Sequence, residues 1–125
     1  MKIKNELLVN SVGVLSKLNN EELSVKVSYK LAKNIKEIDK ELKLVDEEKQ
    51  RLINKYAEKD EEGKNKINEN GTVNIVDIEN WNKDYKELLE IETDLKIDKI
   101  SIEDLAKSDF KITPRELTLI EYLIK

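Results

Sequence analysis

The residues best suited to chemistry in this chain are lysines gathered around one tyrosine. Lys26, Lys30, Lys33, Lys36 and Lys40 follow one another in steps of three or four, with Tyr29 among them. On a helix such steps place all six side chains on one arc. An aromatic ring flanked by ammonium groups can stack on a nucleobase while the lysines hold its phosphates. The same pattern also describes a solvated outer face, with the tyrosine packed under a neighbouring helix. Arg115 is a second candidate. It falls in the first turn of a short helix, where a cation opposes the helix dipole, and either an ion pair with Glu116 or Glu103 or a contact with an anion would account for it. Lys26, Tyr29, Lys30, Lys33 and Arg115 are therefore the candidate ligand-binding residues. Trp81 and Tyr85 are aromatic groups that could anchor a partner, although their spacing also suits core packing.

Other chemistry is excluded by residue type. The chain has no His and no Cys, which removes disulfides, thiolates and imidazole bases or ligands. The acidic triplets Asp46-Glu47-Glu48 and Asp60-Glu61-Glu62 have neither the spacing nor the glycine of a calcium loop. They read as solvated helix face and loop, so no metal or cofactor is expected. No Ser-x-x-Lys or nucleophile elbow is present, and the three glycines stand too far apart to cradle a phosphate. Nothing singles out a carboxylate pair among 27 acids. The expectation is a binding protein without catalytic residues. The net charge of −4 is mild. It disfavours nucleic acid as a partner, because phosphate contacts supply most of that affinity.

The elements that must position these residues follow from periodicity. Charged residues make up 40% of the 125 residues, but Ile and Leu recur in stripes, which a disordered chain lacks. From about Val25 to Glu58, apolar residues fall at Leu31, Ile35, Ile38, Leu42, Val45, Leu52 and Tyr56, a near-heptad seam that skips one position at Lys49. This predicts one long helix whose seam must be covered. Asp77 can cap a second helix over about Ile78 to Glu92, with Ile78, Trp81, Tyr85, Leu88 and Leu89 as its seam. Laid antiparallel on the long helix, it supplies the cover. Between them, Lys59 to Lys66 is a charged loop. Lys66 to Ile75 reads as a β-hairpin around Asn70-Gly71, whose residues can both take positive φ.

At the ends, Met1 to Lys4 suits a short strand, and Asn5 a cap for a helix to about Lys17 carrying Leu8, Val12 and Leu15. Gly13 weakens that helix. Leu95 to Ile97 alternates as a strand that could pair with Met1 to Lys4. Ser101 to Asp104 can start a helical turn. Thr113-Pro114-Arg115-Glu116 is a capping box with Pro at the first helical position, ahead of Leu117, Ile120, Leu123 and Ile124. The expected fold is mainly α with a minor β component (α+β), a single domain over residues 1–125. Leu7-Leu8-Val9 is too short an apolar patch for a signal peptide, and no run approaches the roughly 20 residues that span a bilayer. A cytoplasmic protein without membrane contact is expected. One short cover helix over a long seam also suggests a homo-oligomer.

Four stretches carry a resemblance. They are Lys26-Val27-Ser28-Tyr29-Lys30-Leu31-Ala32-Lys33-Asn34, Lys55-Tyr56-Ala57-Glu58-Lys59-Asp60, Glu69-Asn70-Gly71 and Ile112-Thr113-Pro114-Arg115-Glu116-Leu117. In these the chain resembles a family of small uncharacterised proteins encoded by phages and prophages of low-GC Gram-positive bacteria. That family often has Pro near Ser24 and Gly near Ala57; neither is present here, so the ends of the long helix are less sharply set. The resemblance implies phage origin and a host-cell location, and brings no activity or functional residue with it. Together with the Tyr29–lysine face it points to an antagonist of host antiphage defence, binding a host protein or sequestering a small nucleotide. A virion-assembly or chaperone-like factor, with a phage protein as partner, is the alternative.

Overall fold

A computed structural model describes residues 1–125. The protein is α+β, in the order β1 (Lys2–Lys4), α1 (Asn5–Asn19), α2 (Val25–Tyr56), α3 (Ile78–Glu90), β2 (Glu92–Asp94), α4 (Ile102–Ala106) and α5 (Pro114–Leu119), closing on a 3₁₀ turn at Glu121–Leu123. It divides into two compact units, Met1–Leu42 with Glu92–Lys125, and Lys43–Ile91. The boundary falls inside α2.

The first unit holds the main hydrophobic core. Ile3, Leu8, Val14, Leu15, Leu18, Val27, Leu31, Ile38, Leu95, Ile100, Leu105, Ile120 and Leu123 are all buried in it. A fully buried Leu or Ile contributes about 1.5–3 kcal/mol. The seam of α2 here begins one turn earlier than expected, at Val27, and continues through Leu31 and Ile38, with Ile35 and Leu42 half-buried. Ser24 caps the helix, accepting from the Val27 amide at 3.5 Å, so the start is set without a proline.

On α1 the expected seam holds at Leu8 and Leu15 but not at Val12. Val12 is 44% exposed and Ser11 is buried in its place. Ser11 is accommodated because its hydroxyl donates to the Leu8 carbonyl at 2.9 Å and meets the Tyr122 hydroxyl at 2.9 Å. Asn5 is not the cap of α1: Lys4 occupies that position without a side-chain bond, while Asn5 lies buried inside the helix with Thr93 Oγ1 donating to its Oδ1 at 3.4 Å.

Strand β2 lies three residues before the expected Leu95–Ile97. It pairs antiparallel with β1 in the register Ile3 with Thr93. The chain leaves α3 at Glu90 without a Gly or Pro to mark the exit, and Ile91 is already extended. Leu95 instead enters the core. Beyond it, Asn34 of α2 is buried and holds the chain at Asp98 by two bonds of 2.9 Å, accepting from its N–H and donating to its carbonyl. Ile100 then forms a parallel bridge with Ile124. Ser101 caps α4 by accepting from the Asp104 amide at 3.1 Å. The capping box of α5 is complete: Thr113 Oγ1 accepts from Glu116 N at 3.1 Å and Glu116 Oε1 from Thr113 N at 3.0 Å. Glu116 also pairs with Lys17 at 3.1 Å.

In the second unit α3 runs antiparallel to the end of α2. Tyr56 packs edge-on against Trp81 at 6.5 Å, and Lys49, at the skipped seam position, lies 5.4 Å over the Tyr85 ring. Tyr56 donates to Asp84. Val45, Tyr56 and Leu88 are buried; Ile78, expected in the seam, is 54% exposed.

The connection holds more β structure than one hairpin. Ala57 bridges Ile75, Lys59 bridges Asn65 and Ile67 bridges Val73. Two loops of the same design turn the chain. Asp60 and Asn68 each accept from the amide of a glycine three residues on, Gly63 and Gly71, at φ 81° and 83°. No non-glycine residue has positive φ, so Asn70 does not adopt the expected conformation. These are three-residue loops in which glycine alone supplies the left-handed step.

Two stability predictions follow from this backbone. A methyl group at Gly13 would meet nothing within 4 Å, so Gly13→Ala should raise stability by about 0.5–1 kcal/mol, whereas Gly71→Ala, at positive φ, should lower it by about 1–2 kcal/mol; urea unfolding curves distinguish the two. Asn34→Ala strips both partners from the Asp98 backbone and should cost about 1–3 kcal/mol in the same assay. A loss no greater than that of an exposed substitution would contradict the role assigned to Asn34.

Candidate functional site

The candidate residues near the start of α2 share a helix, and the structure sorts them by what each touches. Tyr29 does not pack beneath α1. It is 67% exposed, and Val25, one turn earlier, is 86% exposed. Lys33 lies over the Tyr29 ring at 5.7 Å, a cation–π contact worth about 0.5–1 kcal/mol at an exposed site. Four lysines and no acid occur between Val25 and Lys36.

Two of those lysines are already engaged. Lys26 is 3.5 Å from Asp104 of α4, and Lys30 is 3.9 Å from Asp98. Lys40 pairs with Glu37 at 3.5 Å on its own helix. Lys33 and Lys36 are exposed and form no ion pair. The face is therefore less cationic than its sequence suggests. The Ser101 hydroxyl at the Asp104 carboxylate, and then Lys26, hold that group below the usual carboxylate range. Its folded value is depressed, so the Asp104 contribution to stability is present at neutral pH and is lost as pH falls through that lowered value.

Arg115 is exposed on α5 and forms neither of the expected ion pairs, since Glu116 bonds Lys17 and Thr113 instead. It stands on α5, whereas Lys26, Tyr29, Lys30 and Lys33 all stand on α2. Trp81 and Tyr85 are half-buried and in contact at 5.4 Å, which gives them a packing role. The stripe that remains is Val25, Tyr29, Ala32 and Lys36, flanked by Lys33. Val25 is the residue that sequence reasoning missed; its signal is an apolar side chain one turn before Tyr29 and off the seam.

No three acidic side chains converge on a possible metal position. No helix is long and apolar enough to cross a membrane. A groove of about 190 Å³ between α1 and the first half of α2 is lined by Val12, Leu15, Ile35 and Leu42, with Asp39 among its polar residues. No known protein family, curated protein or solved structure matches this chain.

Freeing the two engaged lysines should expose the latent charge of the face. The double variant Asp98→Asn/Asp104→Asn is expected to elute from a heparin column at higher salt than the parent. Unchanged elution would mean that these carboxylates do not mask the lysines.

Proposed function

We propose that this chain is a phage-encoded, non-enzymatic binding protein that antagonises a host antiphage defence by docking on a host protein. The exposed pair Val25 and Tyr29 on the first turns of α2 carries this reading. A tyrosine held outward on a helix has two χ angles to immobilise and a large amphipathic surface, and such residues dominate protein interfaces. The phage attribution rests on the resemblance in four stretches of sequence. The lack of His and Cys removes imidazole bases and thiolate nucleophiles.

A protein partner fits this surface better than a sequestered nucleotide. Small-ligand sites bury most of their ligand in a concave pocket, whereas Tyr29 stands out from a helix face and Lys26 and Lys30 face carboxylates. The seam gives no reason for a second copy: Leu31, Ile38, Val45 and Tyr56 are buried and Ile35, Leu42 and Leu52 half-buried within one chain. A virion-assembly role would use the same stripe on a phage protein.

Expression of the protein in low-GC Gram-positive hosts carrying single defence systems is expected to restore plating of a restricted phage on at least one of them. Tyr29→Ala should abolish that gain while changing stability by no more than the about 0.5–1 kcal/mol of its contact with Lys33, because the 67% exposed side chain lies outside the core. Failure to relieve any system, or full activity of Tyr29→Ala, would count against the proposal.

A further inference from the structure

We infer that the stripe Val25–Tyr29–Ala32–Lys36 takes an acidic amphipathic helix of a protein partner. This rests on the reading of the chain as a protein-binding module and names the chemistry of what it binds. The four residues follow at steps of four, three and four, so they form one ridge along the exposed side of α2. Val25 and Tyr29 supply apolar area at one end. Ala32 is small enough to let a second backbone approach. Lys36 closes the ridge, and Lys33 flanks it.

Charge selects the occupant. Lys33 and Lys36 form no ion pair, and there is no acid in the whole stretch from Val25 to Lys36. A partner helix with apolar residues at i and i+4, bordered by Asp or Glu, would place carboxylates against these ammonium groups while covering Val25 and Tyr29. A nucleic acid would need a denser set of unpaired cations than Lys33 and Lys36 provide, because Lys26 and Lys30 face Asp104 and Asp98.

A display library of helical peptides, varied in both charge and apolar spacing, should be panned against the full-length protein. Enrichment of acidic amphipathic sequences is expected. Tyr29→Ala should weaken their binding about thirtyfold, the scale of an interface anchor. Lys33→Glu should weaken it as well, and an acid-to-lysine change in the peptide should restore binding to Lys33→Glu. Rising salt should slow association. Circular dichroism of both variants is expected to match the parent, since both positions are exposed. Neutral or basic enriched sequences, indifference to both substitutions, or single-stranded DNA bound more tightly than every peptide would each overturn the inference. If plating is restored and depends on Tyr29 while panning fails, the proposed function stands and its surface takes a partner of other chemistry than an acidic helix. The opposite result leaves the docking ridge standing without the anti-defence role.

Discussion

A single buried amide organises the first unit. The segment after β2 carries Leu95 and Ile100 into the core, but its backbone at Asp98 has no neighbouring strand to satisfy it. Asn34 supplies the missing donor and acceptor from the side of α2. Burying a polar group is costly unless every hydrogen-bonding position is met, and here the cost is offset because one side chain satisfies two backbone groups at once. Shifting this segment by one residue would leave Asn34 facing the wrong atoms, so the amide fixes the register of the segment on the helix. From that register follow the approach of Asp98 to Lys30, the bridge between Ile100 and Ile124, and the entry of α4.

The long helix, its antiparallel partner and the capped C-terminal helix were legible in the sequence because each rests on local chemistry. A seven-residue apolar rhythm, an Asp at a helix start and a Thr-Pro-Arg-Glu box act over a few residues. The strand pairing was displaced because nothing local marks the exit from α3; the pairing of Glu92–Asp94 with Lys2–Lys4 is decided by residues far apart in the chain. The Ser11 position was invisible for the same reason. Its burial depends on Tyr122, and no periodicity of α1 contains that partner. The loop at Asp60–Lys64 could have been read as a twin of Asn68–Thr72, since both have an Asp or Asn followed three residues later by glycine, whose amide donates to that residue's carbonyl.

The candidate surface was legible in part. The helical arc of lysines around Tyr29 comes from spacing alone. Which lysines remain unpaired does not, because Asp98 and Asp104 reach Lys30 and Lys26 through the tertiary fold. Arg115 shows the limit of arguing from a helix dipole: the expected neighbour Glu116 has its oxygens committed to a cap and to Lys17.

The two units differ in how far apart along the chain their partners lie, and this sets an order for their assembly. In Lys43–Ile91, Glu58 meets Asn74 across 16 residues and Tyr56 meets Asp84 across 28. In the other unit, Lys17 reaches Glu116 across 99 residues and Ser11 reaches Tyr122 across 111. Short loops close at lower entropic cost than long ones. On the ribosome, the helical pair and its β cap can therefore form while α1 still waits for Glu116 and Tyr122 to be made. Until then the core of the first unit lacks Leu95, Ile100, Leu105, Ile120 and Leu123, and the apolar side chains of α1 and α2 that these cover lie open to water, a condition that favours aggregation.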